Sequence, residues 1–348
     1  MRASVLRSGR APELAEVDDP VPGAGQVLVR SRACGLCGSD VHFAELVGAG
    51  PDDVDEPAFV LGHEFCVEVL DYGPGTDPTV PVGALACSVP YATGPGGPEL
   101  LGFSANLGGA LAEHLVLDAA RLVAVPSGLA PEHACLTEPL AVGRHAAGLG
   151  HLDHGQPAVI VGAGPVGLAV LLALKADGHG PVLVAEPSPV RRARAERLGA
   201  DVVVDPGEGS PFAHLDGLGV VPGTPSPLWD EPGPRTPAVT VFECVGRPGM
   251  LQPIVDGVPV GSRVVVVGAG MEPDPFTPAT GVYKEVEVVY SFAYRPREFA
   301  RSLADLADGR VPADQLVTAT VGLGEVAGAL DALRADPAQV KVVVLPDR

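Results

Sequence analysis

Short apolar runs alternate with helical patterns between residues 140 and 270. The runs are Val159–Val161, Val182–Ala185, Ala238–Val245 and Arg263–Gly268. Strands that alternate with helices along a chain form parallel sheets with helices on both faces. The pattern therefore predicts an α/β fold built on a doubly wound parallel sheet.

The rest of the chain is patterned differently. Residues 1 to about 90 hold short β-rich runs, such as Gln26–Arg30 and Phe65–Leu70, which Gly- and Pro-rich turn signals separate. These runs predict an irregular β domain. After Gly281 the pattern predicts a strand, two helices and a last strand, over residues 285–290, 297–308, 324–335 and 340–345. The Gly- and Pro-rich stretch Pro206–Pro237, with Trp229, predicts a surface insertion of low regularity.

A glycine-rich turn follows the first apolar run. Gly162, Gly164 and Gly167 form a GxGxxG pattern between a predicted strand and a predicted helix, and Glu186 ends the next strand. In a dinucleotide-binding unit the first glycine permits the tight turn, the second lets the backbone approach a pyrophosphate, and the third lets helix and strand pack closely. A carboxylate at Glu186 accepts hydrogen bonds from the ribose of NAD and repels the 2′-phosphate of NADP, so NAD is predicted. Three nearby arginines weaken this preference slightly: Arg191, Arg192 and Arg194.

Side chains of the metal-binding types precede the nucleotide motif. Cys34, Cys37 and His42 lie within nine residues, and His63 and Glu64 follow about twenty residues later. Sulfur, imidazole and carboxylate are ligands that Zn²⁺ accepts, and a catalytic zinc leaves one position open for water or substrate. A zinc ribbon would need a second CxxC pair at suitable spacing, so a ribbon or a redox pair at Cys34 and Cys37 is the weaker interpretation. Each residue taken alone would be an ordinary polar or small apolar side chain.

Composition narrows the function further. The chain has 348 residues, enough for two domains, and carries a net charge of −20. This charge repels nucleic acid and anionic membranes, so neither is an expected partner. No apolar run could cross a bilayer and the first residues lack a signal-peptide core, so we expect the cytoplasm. Six cysteines without regular spacing indicate reduced thiols, some of them metal ligands.

Six motifs are spread nearly from end to end of the chain. They are CGSDVH (37–42), GHE (62–64), EPLAVG (138–143), GAGPVG (162–167), FECVG (242–246) and VVGAG (266–270). Together they resemble the zinc-dependent medium-chain dehydrogenases/reductases of the alcohol dehydrogenase superfamily, and most closely the sorbitol and polyol branch. The resemblance implies a Rossmann sheet with a second, irregular β-rich domain of the GroES-like type. It implies a zinc-binding catalytic domain at 1–142, an NAD-binding domain at 143–282, and a return to the catalytic domain at 283–348.

The same resemblance implies a ligand set for one catalytic zinc. Cys37, rather than Cys34, is the sulfur ligand, because the family's ligand cysteine is the one followed by Gly-Ser-Asp. His63 is the second ligand. Glu64 and Glu138 are carboxylates that bind the zinc directly or through its water.

The resemblance also implies a reaction, in which zinc lowers the pKa of an alcohol and hydride passes to the nicotinamide. Ser39 takes the alcohol proton and passes it through the cofactor ribose to His42 and solvent, although a turn hydroxyl and a surface imidazole remain alternatives for these two. Asp40 orients the histidine ligand. Cofactor contacts are implied at Gly162, Gly164, Pro165, Val166, Gly167, Glu186, Arg191, Val267, Gly268, Ala269, Phe292 and Ala293.

Three departures from the family pattern limit what is carried over. Many relatives hold a second, structural zinc in a four-cysteine lobe, whereas residues 87–114 contain one cysteine, so we expect one zinc per chain. Phe43 stands where sorbitol dehydrogenases carry Tyr, and Ala293 stands where they carry Arg. Both of those partners bind polyol hydroxyls, so a less hydroxylated alcohol or diol is the expected substrate.

Two other functions remain open at the level of sequence. The first is a zinc-free quinone or enone reductase of the same fold. Such an enzyme would not need Cys37, His63 and Glu138, so their joint occurrence disfavours it. A non-catalytic NAD-binding structural protein would not need Ser39 and His42. The resemblance also implies the partners, which are a small alcohol or carbonyl substrate and further copies of the chain in a homodimer or homotetramer.

Overall fold

The computed structural model describes residues 1–51, 57–220 and 238–348, which form two compact units. The first unit contains Met1–Glu138 and Phe299–Arg348, and the second contains Pro139–Glu298. The part of the predicted insertion from residue 221 to 237, with Trp229, lies outside the described residues. Its described part holds two 3-10 turns, Pro211–His214 and Asp216–Leu218.

The first unit is built mainly from antiparallel strands. Up to residue 138 its strands are β1 (Arg2–Leu6), β2 (Glu13–Glu16), β3 (Gln26–Gly35), β4 (Phe59–Val60), β5 (Glu64–Tyr72), β6 (Leu85–Ser88), β7 (Tyr91–Gly94), β8 (Gly97–Leu100), β9 (His114–Asp118) and β10 (Leu122–Ala124). Its helices there are α1 (Gly38–Gly48) and α2 (Pro131–Ala134), and α3 (Thr137–Leu149) follows. Alternate residues of β3 are buried, as expected for a strand with one face on a core.

The second unit is a parallel sheet flanked by helices. Its strands are β11 (Ala158–Val161), β12 (Val182–Ala185), β13 (Val202–Val204), β14 (Thr240–Glu243), β15 (Arg263–Val266) and β16 (Glu287–Tyr290). Its helices are α4 (Pro165–Ala176), α5 (Pro189–Arg197), α6 (Leu251–Gly257) and α7 (Pro278–Lys284). The strand order β13-β12-β11-β14-β15-β16 is that of a dinucleotide-binding sheet, with the switch point between β11 and β14.

The C-terminal segment completes the first unit. After α8 (Pro296–Ala307) come β17 (Val317–Val321), α9 (Val326–Ala335) and β18 (Lys341–Val344). Strand β18 pairs antiparallel with β3, joining Val344 to Cys34 and Val343 to Gly35. The seven-stranded sheet then runs β10-β6-β5-β3-β18-β17, with β9 also on β3.

The predicted architecture, a doubly wound parallel sheet and a separate β-rich domain, is confirmed. The limits of the two units differ from the expected domain limits at 142 and 282. Residues 287–290 form the last strand of the parallel sheet, because β16 pairs in parallel with β15.

No helix in the described part of the chain is long and apolar enough to span a membrane.

Candidate metal and nucleotide sites

Three ligand-type side chains meet at one end of the β3–β5 pair. Cys37 caps α1 just after β3, His63 precedes β5, and Glu64 is the first residue of β5, opposite Gly35. A ligand atom of each of the three lies within 4.8 Å of those of the other two. Thiolate, imidazole and carboxylate at this separation suit Zn²⁺ in both chemistry and number.

The turn before His63 requires a glycine. Gly62 has φ +100°, and a Cβ there would lie 2.7 Å from the Sγ of Cys34 and 2.9 Å from the amide nitrogen of Leu111. A side chain would therefore force apart the segments that hold the histidine. Gly35 is similarly close to the carboxylate of Glu64, which a Cβ would approach to 2.3 Å.

Asp40 lies behind the imidazole of His63. Its Oδ1 is 3.4 Å from Nδ1 of His63, and its Oδ2 accepts a hydrogen bond from the amide of Cys37 at 3.0 Å. The Oγ of Ser39 lies 3.4 Å from Nε2 of His63, on the other side of the ring. Burial lowers the pKa of His63, but Asp40 and Cys37 outweigh that effect and hold the pKa above its ordinary value. A histidine whose outer nitrogen faces a carboxylate is the usual arrangement of a metal-ligating imidazole.

Lys341, which the sequence did not single out, is the counter-ion of Glu64. Its Nζ donates to both carboxylate oxygens, at 2.7 and 2.6 Å, and to the carbonyl of Leu36 at 3.0 Å. Both side chains are buried. Burial lowers the pKa of Lys341, but the charge of Glu64 outweighs that effect and raises the pKa above its ordinary value, so the ammonium group stays charged. A lone lysine in the apolar run 340–345 was the only signal in the sequence.

The remaining predicted residues of this unit lie in different surroundings. Cys34 is buried in the core, and burial raises the pKa of its thiol. Glu138 is buried in the first turn of α3, and its charge contributes to the raised pKa of Lys341, but it is not in the group of three within 4.8 Å among the described residues. His42 lies on α1 with its side chain 70% exposed, and its Nδ1 is 3.8 Å from Glu45.

In the second unit the three glycines of the GxGxxG turn have distinct environments. Gly162 has φ +97°, which only glycine adopts without strain. A Cβ on Gly167 would lie 1.9 Å from the carbonyl oxygen of Gly162, whereas a Cβ on Gly164 would meet nothing within 4 Å. Gly164 is the N-cap of α4, and Pro165 and Val166 begin that helix. Amide groups in the first turn of a helix are donors of the kind that can hold a pyrophosphate.

Glu186 follows β12 and is 4% exposed. Its Oε2 accepts from the amide of Ala163 at 2.8 Å, and its Oε1 accepts from the amide of Ser188 at 2.9 Å. A carboxylate has about four acceptor positions, so two remain for hydroxyl donors. Arg191 lies in the first turn of α5, and burial, then the charges of Arg197 and Arg191, lower the pKa of Arg194.

A second turn follows β15, at the other predicted cofactor contacts. The amides of Val267 and Gly268 both donate to the carbonyl of Glu243, and Ala269 comes next. The buried carboxylate of Glu243 accepts from the amides of Val245 and Gly246. Burial raises the pKa of Glu243. This glutamate, absent from the predicted site, therefore holds two glycine-bearing loops in place.

The last two predicted contacts follow β16. Phe292 is 82% exposed, and Ala293 has φ +52°, a left-handed conformation that is uncommon for residues other than glycine. The described structure thus brings Cys37, His63 and Glu64 into one cluster and the GxGxxG turn against Glu186. It leaves Phe292 with most of its side chain in solvent.

Both units match known protein families. Residues 23–127 match the alcohol dehydrogenase GroES-like domain, and residues 165–308 match the zinc-binding dehydrogenase domain. The (R,R)-butanediol dehydrogenase of Bacillus subtilis is 30% identical over all of both chains, and the sorbitol dehydrogenase of the same organism is 27% identical over 100% of this chain and 98% of its own.

Solved structures agree with these matches. The crystal structure of 2R,3R-butanediol dehydrogenase from Bacillus subtilis has a TM-score of 0.83 and 29% identity, with 99% of each chain covered. A zinc-binding dehydrogenase of Sinorhizobium meliloti 1021, solved with NADP bound, has a TM-score of 0.81 and 26% identity, again with 99% of each chain covered.

The fold and the two sites define a zinc-dependent oxidoreductase that uses a nicotinamide cofactor. The chain belongs to the zinc-binding alcohol dehydrogenase family of medium-chain dehydrogenases/reductases, with diol and polyol dehydrogenases among its relatives. The expected family is thereby confirmed, and these matches do not favour the zinc-free reductase or the non-catalytic protein.

Proposed function

We propose that this chain interconverts an alcohol or small diol with the corresponding aldehyde or ketone, with NAD as the preferred cofactor. The observation that carries the proposal is the cluster of Cys37, His63 and Glu64, whose ligand atoms lie within 4.8 Å of one another. A half-buried thiol next to a buried imidazole and a buried carboxylate has no packing reason to occur, and the three are the donor set of a catalytic zinc.

In this proposal Cys37, His63 and Glu64 hold one zinc, with Glu138 as a further acidic group in the same unit. Zinc in such a site supplies Lewis acidity, which lowers the pKa of an alcohol hydroxyl to near neutrality. Asp40 fixes the ring orientation of His63, and Lys341 balances the charge of Glu64. These two contacts hold the imidazole and the carboxylate of the cluster in place.

Proton removal falls to Ser39 and His42. The Oγ of Ser39 lies 3.4 Å from Nε2 of His63, so this hydroxyl is at the ligand cluster and can relay a proton: Oγ accepts the proton of a substrate hydroxyl bound there while it gives up its own hydroxyl proton toward solvent. His42 lies one turn further along α1 and is exposed, so it can release a proton to solvent.

The preference for NAD rests on Glu186. Its two oxygens are anchored by the amides of Ala163 and Ser188, which fixes the position of the carboxyl group after β12. Such a group accepts from a ribose 2′-hydroxyl and repels a 2′-phosphate. Gly162, Gly164 and Gly167 are proposed to hold the pyrophosphate, and Val267, Gly268, Ala269, Phe292 and Ala293 the nicotinamide half.

We also propose that the enzyme is a homodimer or homotetramer of the cytoplasm. Strand β16 is an edge of the six-stranded sheet in the described part of the chain. Large side chains near it are exposed: Tyr283 by 77%, Tyr290 by 69% and Phe292 by 82%. An exposed edge strand with apolar neighbours favours association with another copy. Light scattering coupled to size exclusion tests the oligomer, and a monomer would contradict it.

One assay tests the main proposal. The purified protein is supplied with primary and secondary alcohols, vicinal diols and aldehydes, each with NAD or NADP, and absorbance at the nicotinamide band is followed. We expect turnover of alcohols or diols, faster with NAD, and loss of turnover after chelation that added zinc restores. Turnover that persists in metal-free protein would indicate the zinc-free reductase, and absence of turnover with every substrate would contradict an enzymatic role.

A further inference from the structure

The segment from residue 91 to 107 of the first unit forms a small hairpin and a tight turn. Strands β7 and β8 pair with each other through Tyr91–Leu100 and Gly94–Gly97, and the chain then turns through residues 101–107. Leu101 at the start of the turn is buried in the core. The motifs that define the family leave this segment without a role.

The turn is held closed by Glu99. Its carboxylate accepts from the hydroxyl of Ser104 and from Nδ2 of Asn106, the latter at 3.1 and 3.3 Å. The Ser104 hydroxyl in turn accepts from the amides of Asn106 at 2.9 Å and Leu107 at 3.1 Å. Side chain and backbone thus form one closed network, which limits the positions that the turn can adopt.

This turn lies against the backbone that carries the histidine ligand. Gly102 has φ +85°, and a Cβ there would lie 2.9 Å from the amide nitrogen of Gly62. Gly109, two residues after the turn, is closer still to this backbone, because a Cβ there would lie 2.3 Å from the carbonyl oxygen of Leu61. Two backbone segments can approach this closely only where the residue between them is glycine, because a side chain would collide. The turn therefore has a defined position relative to His63.

Phe103, which follows Gly102 in the turn, reaches the ligand cluster. Its ring centroid lies 5.2 Å from that of His63, with the rings tilted by 45°. Phe43 meets Phe103 edge to face at 5.1 Å and meets Phe59 in the same way at 5.1 Å. Such spacings are those of favourable aromatic contacts, so three phenyl rings form a continuous apolar wall that ends at the histidine.

We propose that Phe103 is a specificity-determining residue, and that Glu99 is a positioning residue that sets the place of its ring through the turn. The proposal rests on the alcohol dehydrogenase function proposed above and names its substrate class: alcohols that carry an alkyl or aryl group next to the carbinol. An apolar substituent gains by leaving water against the phenyl wall, whereas a hydroxylated substituent loses its water hydrogen bonds there and finds no donor or acceptor on the rings.

Steady-state kinetics of 1-phenylethanol and of glycerol, whose secondary carbinol carries only hydroxymethyl groups, test the specificity. For Phe103→Ala we expect kcat/KM for 1-phenylethanol to fall about 10- to 100-fold, with less than about a threefold change for glycerol, because the loss is confined to apolar contact. The matched control is Leu107→Ala, which removes another apolar side chain from the same turn and should leave the ratio of the two values unchanged. An equal fall for both substrates, or an equal change in ratio in Leu107→Ala, would overturn the proposal.

Glu99 is tested by the same ratio. Glu99→Ala should lower this ratio of kcat/KM values, as Phe103→Ala does, mainly by raising KM for 1-phenylethanol. Glu99→Asp should restore part of the ratio. Zinc content and melting temperature are measured on each variant. A loss of stability in Glu99→Ala with an unchanged ratio would make Glu99 merely structural and overturn its positioning role.

A second measurement does not depend on turnover. In chelator-treated protein, alkylation of Cys37 by N-phenylmaleimide and by N-methylmaleimide is followed by peptide mass. We expect the ratio of the rate with N-phenylmaleimide to the rate with N-methylmaleimide to fall several-fold in Phe103→Ala and to stay constant in Leu107→Ala. Should the unaltered protein oxidise no alcohol, the proposed function fails, but a rate ratio that depends on Phe103 still establishes the apolar wall. A ratio that does not change with Phe103 refutes the wall whatever the activity.

Discussion

Lys341 and Glu64 form a buried ion pair in which Nζ lies 2.7 and 2.6 Å from the two carboxylate oxygens. Lys341 opens the last strand of the chain and Glu64 opens β5, and the two are 277 residues apart in sequence. Because Glu64 is one of the three clustered ligand-type residues, the C-terminal strand contributes to the electrostatics of the proposed metal site. In the proposed function the C-terminal segment therefore supports that site as well as the fold.

Replacing only Lys341 should lower the free energy of unfolding. Lys341→Met leaves Glu64 as an unpaired charge in the interior, and loss of one partner of a buried pair costs about 3–5 kcal/mol. The double variant Glu64→Leu/Lys341→Met removes both charges and should lose less stability than the single variant. Urea unfolding of chelator-treated protein, followed by circular dichroism, measures this without a contribution from metal binding. A double variant that is no more stable than Lys341→Met would show that the pair is not the source of the loss.

The two cysteines before α1 should differ in their effect on zinc. Elemental analysis should find about one zinc per chain, since one cluster of this donor type is present in the described residues. Cys37→Ser should lose metal and activity together, because Cys37 supplies the only sulfur of that cluster. Cys34→Ser should keep both, because Cys34 is in the core and its pKa is raised by burial. Two tightly held zincs per chain, or zinc loss in Cys34→Ser, would refute this assignment.

The glycines of the nucleotide turn should separate binding from folding. Gly164→Ala places a methyl group in open space, so stability should change little while NAD affinity falls about tenfold or more, since the backbone can no longer approach a pyrophosphate. Gly167→Ala places a methyl group 1.9 Å from the carbonyl of Gly162, so the melting temperature should fall as well. Calorimetric titration and thermal unfolding compare the two. Loss of stability in Gly164→Ala with unchanged affinity would reverse their roles.

Glu186 should control the choice of cofactor. Glu186→Ser removes the charge that repels a 2′-phosphate, so the ratio of kcat/KM with NAD to that with NADP should fall at least about tenfold. Some stability should also be lost, because the amides of Ala163 and Ser188 lose their acceptor. Glu186→Gln is the control, since it keeps an acceptor without the charge. If the unaltered enzyme uses NADP as well as NAD, the preference is wrong and Arg191, Arg192 and Arg194 become the expected phosphate contacts.

Much of the fold was readable in the sequence because its signals are local. The alternation of apolar runs and helical patterns predicted the strands that the structure places at β11, β12, β14 and β15. Three further local signals can be recognised without knowledge of the tertiary structure: the GxGxxG spacing, the glutamate that follows β12, and the Gly-His-Glu run.

Other features depend on contacts that no local pattern encodes. Helix α1 was not predicted, because its eleven residues begin and end with glycine and an apolar residue, Leu46, also lies on its exposed side, which blurs the helical pattern. Lys341 and Phe103 are ordinary residues in sequence, and their importance comes from partners far away in the chain, Glu64 and His63. The predicted limit of the nucleotide domain at 282 differs from the structure because a single β run does not reveal which sheet it will join.

Substrate preference is the prediction that draws most on this chain's departures from its relatives. The resemblance to polyol dehydrogenases places Tyr and Arg where this chain has Phe43 and Ala293. Phe43 is packed edge to face against Phe59 and Phe103, so its surroundings are apolar, and Ala293 carries no donor. Apolar surface contributes roughly 25 cal/mol per Å² buried, while a sugar alcohol would lose hydration without regaining hydrogen bonds. Secondary or benzylic alcohols and small vicinal diols should therefore be used ahead of sorbitol and xylitol.

The variant Phe43→Tyr/Ala293→Arg should shift this order. Restoring two hydrogen-bonding groups should raise kcat/KM for sorbitol relative to a secondary alcohol by about tenfold or more, because a site that bonds a substrate hydroxyl discriminates strongly for it. Each single variant is measured as a control, and Ala293→Gly checks that the left-handed backbone at φ +52° does not itself alter the site. If sorbitol is the better substrate of the unaltered enzyme, other residues bind the polyol hydroxyls and the significance given to Phe43 and Ala293 is mistaken.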